Sequence, residues 1–240
     1  MLTPNSSAST ALPMLVELPF GIVNLWFVEI DRFVPVVQPL SEILSSDERE
    51  RAERFHFERD RKRFVTARVF LRRILGTSLG VEPNRVSFEY GPFGKPALGE
   101  ELKDSSLRFN VSHSHGCAIF AVTHGREVGV DLEFIRPLDD LLHLADQNFS
   151  VHENTMIRSL PDQDQRRGFF DCWTRKEAFL KATGDGLSFP LDKFDVSLLP
   201  GQGRRSLNLR GIPAEETAWT LISLETDPAY AAALVVKGRE

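Results

Sequence analysis

Residues 128–134 read VGVDLEF, a stretch that indicates both a β-strand and a pair of neighbouring carboxylates. Its apolar residues occupy every second position, which is typical of a β-strand with one buried face. Asp131 and Glu133 then point together from the opposite face. Neighbouring carboxylates repel each other unless solvent or a cation lies between them, and Mg²⁺ prefers such oxygen ligands. A solvated strand face explains the same pattern, so both interpretations stand at this point.

Downstream, residues 169–181 read FFDCWTRKEAFLK and have helical spacing. Trp173, Glu177 and Lys181 share one helix face, because each is four residues from the next. A carboxylate held there could be a third metal ligand or a general base. A lysine on the same face could stabilise phosphate charge or protonate a leaving group. The alternative is an ordinary surface pair of Glu and Lys.

Upstream, residues 109–116 read FNVSHSHG and follow a predicted strand. Ser112 and His113 are badly placed to form a nucleophile–base pair with each other, but both could donate to a phosphate. His113 could do so in either its cationic or its neutral form. The alternative is a polar hairpin turn. Two histidines without a third ligand nearby do not favour a zinc site.

Basic residues are concentrated in residues 47–73, which contain ten Lys and Arg against six Asp and Glu. Arg51 and Arg63 of this stretch could bind phosphates, although such helices are commonly solvated and salt-bridged. Lys95 lies between Gly94 and Pro96, in a loop that would present it rigidly. A lysine in a surface turn is the alternative there.

The order strand, helices, strands occurs twice along the chain. The turn at residues 123–127 is the expected boundary, giving a flexible tail at 1–14, an N-terminal half at 15–125 and a C-terminal half at 126–240. The first half has predicted strands at 22–30, 86–90, 107–111 and 118–123 and helices within 46–79. The second has strands at 128–134, 195–199, 218–225 and 230–236 and helices within 139–182.

Composition narrows the classes of function. The chain has 240 residues and a net charge of −5, which argues against a nucleic-acid binder. Its two cysteines are too few for a disulfide framework and predict reduced thiols in a cytoplasmic protein. The opening residues lack the basic and apolar regions of a signal peptide, and no apolar stretch is long enough to span a membrane.

Taken together and in this order, the motifs resemble those of the Sfp-type 4′-phosphopantetheinyl transferases. The resemblance covers about residues 45–199. The motifs at residues 129–133 and 173–181, about forty residues apart, are highly specific as a pair. The matching elements are Arg54-Phe55 with the Arg63 helix and residues 94–96, 109–114, 129–133 and 173–181.

The resemblance implies an α+β fold of two similar halves, related by a pseudo-twofold axis. Coenzyme A would lie in the cleft between the halves, with its adenosine and phosphate contacts mainly in the first half. Asp131, Glu133 and Glu177 would bind Mg²⁺ in the second half. The implied reaction moves 4′-phosphopantetheine from coenzyme A to a serine of an acyl or peptidyl carrier protein and releases 3′,5′-ADP.

The resemblance also implies a role for each remaining site residue. Glu177 would act as general base on the carrier serine, directly or through water, and Lys181 would stabilise or protonate the leaving phosphate. His113 completes the predicted catalytic set. The side chains expected to hold the phosphates and adenosine of coenzyme A are Arg51, Arg63, Lys95, Ser112, His113 and Lys181. One chain supplies both sides of the cleft, so a monomer is expected.

Glu48 departs from the family pattern, because close relatives often have a lysine at this position beside Arg49. We therefore leave Glu48 out of the predicted site. Two rival functions remain open from the residues alone. One is a Mg²⁺-dependent phosphohydrolase acting on coenzyme A, and the other is a catalytically inactive module that binds coenzyme A or a carrier protein.

Overall fold

The computed structural model describes residues 14–18, 21–184, 189–196, 204–206, 208–209 and 218–238. Within these residues the chain forms two four-stranded antiparallel sheets, and helices pack beside each of them. The predicted α+β class is confirmed. The expected tail at residues 1–14 lies almost wholly outside the described residues.

The first sheet has the strand order β1-β2-β6-β5. Its strands and the neighbouring helices are β1 (Met14–Leu18), β2 (Gly21–Glu29), α1 (Ile30–Val37), α2 (Ser46–Glu53), α3 (Glu58–Leu79), β5 (Leu107–Ser114) and β6 (Cys117–His124). A small hairpin of β3 (Phe88–Tyr90) and β4 (Pro96–Leu98) lies between α3 and β5. Leu71 and Leu75 of α3 pack with Phe120 of β6 in one apolar core.

The second sheet has the strand order β7-β12-β11-β9. The elements of this half are β7 (Val128–Phe134), α4 (Leu141–Asn148), α5 (Val151–Ser159), α6 (Asp162–Thr183), β8 (Phe194–Asp195), β9 (Arg204–Ser206), β10 (Asn208–Leu209), β11 (Trp219–Ser223) and β12 (Tyr230–Lys237). The long helix α6 packs against β7 and β12.

Gly129 allows the close approach of α6 to β7. A Cβ atom at this position would lie 2.1 Å from the Ala178 carbonyl oxygen and 2.3 Å from the Ala182 amide nitrogen. Such a distance is far below van der Waals contact, so any side chain here would push the helix away from the strand. Glu177 and Lys181 of the predicted site are on the same part of α6, so Gly129 also sets how close they lie to β7.

The two sheets pack face to face through a shared apolar core. Val23, Leu25 and Ile119 of the first sheet are almost fully buried against Val130 and Leu234 of the second. Burying aliphatic side chains on both faces stabilises this contact by roughly 1.5–3 kcal/mol for each fully buried residue. The two halves are therefore joined by a hydrophobic interface.

The structure also corrects one element of the sequence interpretation. The predicted strand at 22–30 ends at Glu29, and α1 then runs from Ile30 to Val37, a helix that the sequence analysis missed. Residues 30–37 read IDRFVPVV, a composition that favours strand over helix. Packing of Phe33 edge-on against Phe70 of α3, with ring centroids 5.1 Å apart, outweighs that preference.

Most other predicted elements appear within a few residues of their expected bounds. The two predicted helices within 46–79 are α2 and α3, and α3 is capped by Gly80, whose φ of 69° is left-handed. The predicted strand at 195–199 is described only as the short β8, since residues 197–199 lie outside the described part. No helix in the described part of the chain is long and apolar enough to cross a membrane.

Candidate active site

Strand β7 brings two carboxylates to the interface between the halves. The apolar side chains of β7 enter the core between the sheets. The alternate residues therefore share the opposite face, as the VGVDLEF pattern predicted, and this face packs against α6. Asp131 is almost fully buried, at 2% exposure, and Glu133 is half-buried.

Helix α6 places Lys181 directly against Asp131. The Lys181 Nζ atom donates to Asp131 Oδ1 at 2.6 Å and to Ser112 Oγ at 2.8 Å. Glu177 lies one helical turn earlier and is half-buried on the same face. Trp173, one further turn back, stacks on Phe169 with a ring separation of 6.1 Å. The helix face predicted from residues 173–181 therefore borders the carboxylates of β7.

Burial and mutual repulsion raise the pKa of two carboxyl groups at this site. Desolvation is the main reason that the pKa of Glu177 is raised, and the negative charge of Asp131 adds to it. The same two causes raise the pKa of Glu133, against the opposing effect of a hydrogen bond from Ser114. Three carboxylates thus act on one another in a region with little water.

The carboxylates of this site have the oxygen atoms that a metal ion needs, but they do not converge on one point. Asp131 Oδ2 is fully buried and has no hydrogen-bond partner among the described residues, which is unusual for a carboxylate oxygen and leaves it open to a cation. However, the described residues contain no group of three His, Cys, Asp or Glu side chains arranged closely enough to hold a metal. The ammonium group of Lys181 compensates one oxygen of Asp131 instead. The donor chemistry therefore fits Mg²⁺, although the ligands are not assembled.

His113 follows Ser112 on β5 and lines a recess of about 210 Å³. The other side chains around this recess include Phe55, Asp60, Arg63 and Phe64. Desolvation lowers the pKa of His113, and the nearby positive charges of Lys181 and Arg51 lower it further. Of the two forms left open above, the neutral imidazole is thus the one favoured near pH 7, and it offers a hydrogen bond rather than a full charge.

Arg63 borders the same recess but already has a partner. Its Nε and Nη2 atoms donate to the two carboxylate oxygens of Asp31 at 2.7 and 2.6 Å. This bidentate bond lowers the pKa of Asp31. Arg51 is exposed on α2, with its guanidinium 5.5 Å from the centre of the Phe64 ring. Both predicted cations are therefore on the His113 side of the cleft.

Lys95 connects the two halves of the molecule. Its Nζ atom donates to the Ala182 carbonyl oxygen of α6 at 2.8 Å and to Glu127 Oε2 at 3.2 Å. The turn that carries it also lines a second recess together with Glu177 and Lys181. The loop between β3 and β4 thus brings Lys95 beside the face of α6 that carries Glu177 and Lys181, as a bonded side chain rather than a free one.

Glu48, which we excluded from the site, proves to be part of the protein interior. Its carboxylate is 2.6 Å from Arg72 Nε and 3.0 Å from Arg68 Nε, and all three side chains are at most 8% exposed. The second contact is an ion pair that is not aligned as a hydrogen bond, since neither Glu48 Oε1 nor Arg68 Nε has a hydrogen-bond partner among the described residues. A lysine at this position would place three cations together, so the acidic residue and the two arginines belong together.

The sequence analysis missed one residue of the candidate site, Ser114, whose hydroxyl donates to Glu133. Asn110 and Ser114 flank Ser112 on the same face of β5, and all three side chains bond to β7. Their spacing of two residues in a predicted strand was the available signal. It was not used because the partner strand of β5 could not be known from the sequence.

Comparison with protein families identifies both halves. Residues 127–235 match the family model of the 4′-phosphopantetheinyl transferase superfamily. Residues 35–124 match the model of the N-terminal region of 4′-phosphopantetheinyl transferases. Together the two matches cover most of the chain and include every predicted site residue.

Comparison with individual proteins also finds 4′-phosphopantetheinyl transferases. The chain is 44% identical over 216 residues to the 4′-phosphopantetheinyl transferase HetI of Nostoc, covering 90% of this chain and 88% of HetI. It is 33% identical to psf-1 of Bacillus pumilus, covering 84% and 82% of the two chains. It is 29% identical to Sfp of Bacillus subtilis, covering 84% and 83%. The chain therefore belongs to the 4′-phosphopantetheinyl transferase superfamily and is an enzyme that transfers phosphopantetheine from coenzyme A to a carrier protein.

Proposed function

We propose that the transfer depends on Mg²⁺, that the acceptor is a serine of an acyl or peptidyl carrier protein, and that coenzyme A lies between the two halves. Residues 15–125 would contact its adenosine and phosphates, and residues 126–240 would supply the metal ligands and the catalytic groups. The observation that carries this proposal is the cluster of Lys181, Asp131 and Ser112, which joins three elements of both halves through bonds of 2.6–2.8 Å.

Asp131, Glu133 and Glu177 would hold the metal. Their oxygen atoms are the ligands that Mg²⁺ prefers. Burial raises the pKa of Glu133 and of Glu177, and the negative charge of Asp131 adds to this effect in both. A divalent cation would relieve that repulsion. When bound there, Mg²⁺ would neutralise charge on the pyrophosphate of coenzyme A. Binding requires that Lys181 move away from Asp131 Oδ1, or that this lysine share the carboxylate with the metal.

Glu177 would take the proton of the attacking serine, directly or through one water. Its half-buried carboxylate lies on the face of α6 that borders Asp131 and Lys181, where it could reach a serine bound beside the metal. The serine oxygen then forms a bond to the β-phosphorus of coenzyme A. The bond from that phosphorus to the bridging oxygen breaks, and 3′,5′-ADP leaves with the electron pair of that bond.

Lys181 would stabilise the negative charge that develops on the leaving phosphate, or would give it a proton. Its ammonium group is already placed among polar atoms at the base of the cleft and is 30% exposed. A cation fixed before the reaction stabilises such charge without reorganisation. Arg51, Arg63 and His113 would hold the remaining phosphates from the opposite side of the cleft, and Lys95 would contribute from beside Lys181.

We also propose an oligomeric state and a cellular compartment for the enzyme. One chain supplies β5 and its neighbouring cations as well as β7 and α6, so we propose that the working enzyme is a monomer. Cys117 and Cys172 are both buried and free. Reduced thiols of this kind fit a cytoplasmic enzyme.

The intact mass of an apo carrier protein tests the proposal. After incubation with the enzyme, coenzyme A and Mg²⁺, we expect the carrier mass to increase by one phosphopantetheine group. Removal of Mg²⁺ with EDTA should abolish the increase. Release of 3′,5′-ADP without any carrier would indicate a hydrolase, and binding of coenzyme A without either product would indicate an inactive module.

A further inference from the structure

Strands β5 and β7 are joined by a row of side-chain hydrogen bonds, here named the β5–β7 ladder. Asn110 Oδ1 accepts from the amide of Val130 at 2.9 Å. Ser112 Oγ accepts from the amide of Leu132 at 3.2 Å. The third bond runs from the amide of Phe134 to Ser114 Oγ at 3.1 Å. The three acceptors are spaced by two residues, as are the three donors, so the ladder sets the register between the two sheets.

The two serines of the ladder each have a second bond, and it goes to a carboxylate. Ser112 Oγ donates to Asp131 Oδ1 at 2.8 Å. Ser114 Oγ donates to Glu133 Oε2 at 3.0 Å. A hydroxyl group has one proton to donate, and in both residues this proton points to a proposed metal ligand. Asn110 belongs to the same ladder, but within the described part of the chain its Oδ1 accepts only from the Val130 amide.

This arrangement changes the expected role of Ser112. Its oxygen accepts from Leu132 and from Lys181 and donates to Asp131. One donor and two acceptor positions are the full capacity of a hydroxyl group. Ser112 is therefore occupied within the protein, and its hydroxyl has no capacity left for a phosphate of coenzyme A.

From these bonds we infer that Ser114 and Ser112 are positioning residues, which hold Glu133 and Asp131 in the orientation required for metal binding. The inference rests on the proposed function, since it assumes that these carboxylates are metal ligands. A carboxylate on a strand can adopt several side-chain rotamers, and the serine bond selects one. Partners of this kind typically change metal affinity 10- to 100-fold when removed.

The test compares Ser114→Ala with Asn110→Ala. Each variant leaves one amide of β7 without its acceptor, so both lose one bond of the ladder. Only Ser114→Ala also releases a carboxylate. We expect the dissociation constant for Mn²⁺, used as a paramagnetic probe in place of Mg²⁺, to rise about tenfold in Ser114→Ala. In Asn110→Ala it should stay within about twofold. The signal of free Mn²⁺ in electron paramagnetic resonance measures binding without any turnover.

Ser114→Thr retains the hydroxyl group and suits a strand, so it should restore affinity close to that of the original protein. Circular dichroism and thermal unfolding of each variant would verify the fold. Equal weakening in Ser114→Ala and Asn110→Ala would overturn the inference, because it would show a general effect of the ladder. Unchanged Mn²⁺ affinity in Ser114→Ala would overturn it as well.

A further variant separates this inference from the proposed function. Asp131→Asn should abolish Mn²⁺ binding if the metal assignment is right. If it binds Mn²⁺ as the original protein does, the metal site itself is wrong, and the inference fails with it. If Asp131→Asn loses Mn²⁺ binding while Ser114→Ala retains it, the proposed function stands and the positioning role of Ser114 is wrong.

Discussion

At the residue scale, Lys181 contacts residues of both halves and has the proposed role of stabilising the leaving group. It contacts Asp131 of β7 and Ser112 of β5 while belonging to α6. Replacement by alanine should lower kcat about 100-fold, because a preorganised cation is lost from the leaving group. The KM for coenzyme A should change much less. Steady-state kinetics with an apo carrier would measure both constants.

The matched control for this substitution is Lys193→Ala. Lys193 is 65% exposed and pairs only weakly with its neighbour Asp192, so its removal should leave both kinetic constants unchanged. A rise in KM alone for Lys181→Ala, with kcat retained, would contradict a role in the leaving-group step. It would make Lys181 a residue for binding coenzyme A.

His113 permits a second prediction, which concerns the 3′-phosphate of coenzyme A. Its ring lines the recess beside Arg63 and is mainly neutral near pH 7, so it would contribute one hydrogen bond. Loss of such a bond in His113→Ala should weaken coenzyme A binding about tenfold. Binding of dephospho-coenzyme A, which lacks that phosphate, should be unaffected. Isothermal titration calorimetry would measure both affinities.

Equal losses for the two ligands would contradict this assignment of His113. The exposed His152 of α5 provides the control, since its substitution by alanine removes an imidazole from a solvated surface. Neither affinity should change in that variant.

At the element scale, Glu48 determines how α2 lies on α3. Its carboxylate accepts from the amide of Ser45 at the start of α2 and pairs with two arginines of α3. Replacing Glu48 by glutamine would leave Arg68 and Arg72 buried without a counter-charge. Breaking such a buried pair typically costs about 3–5 kcal/mol of the free energy of unfolding. Urea unfolding at equilibrium would measure this loss.

Glu53→Gln is the control for this prediction, because Glu53 is on the same helix but exposed. Its substitution should change the free energy of unfolding by less than about 0.5 kcal/mol. If Glu48→Gln were equally mild, the buried arginines would have to be compensated by their other contacts. For Arg72 these are the carbonyl oxygens of Pro83 and Val86.

The elements differ in how far the sequence predicts them. Strand β7 and helix α6 follow from regular spacing of apolar residues, and the structure has both close to the expected bounds. Helix α1 was missed because its residues prefer a strand and only packing against α3 makes it helical. Local pattern therefore predicts an element where propensity and tertiary packing agree, and fails where they conflict.

The same distinction applies to the site. Asp131, Glu133, Glu177 and Lys181 could be grouped because the period of a strand or a helix places each pair on one face. The partners of these residues could not be predicted, since they come from distant parts of the chain. Arg63 meets Asp31 across 32 residues, and Ser114 meets Glu133 across the boundary between the halves.

At the scale of the whole molecule, the residues proposed for the site all come from one chain. The turn after β6 links the two halves covalently. The apolar core between the sheets and the hydrogen bond from Lys95 to Ala182 also hold them together. We therefore expect light scattering to give a mass close to the 27.1 kDa of one chain. Specific activity should stay constant on 100-fold dilution. A mass of twice that value, with activity lost on dilution, would contradict the monomer proposal.

The β5–β7 ladder also determines how the interface between the halves can open. No backbone-to-backbone hydrogen bond joins residues 107–114 to residues 128–134, all of which are described. The amides of Val130, Leu132 and Phe134 are instead protected by side chains of β5, while the alternate amides of β7 face β12. Separation of the halves would expose the first set to deuterium and leave the second protected. If the halves separate, hydrogen–deuterium exchange along β7 should therefore alternate. The amides of Val130, Leu132 and Phe134 should exchange fast, and the amides between them should exchange slowly.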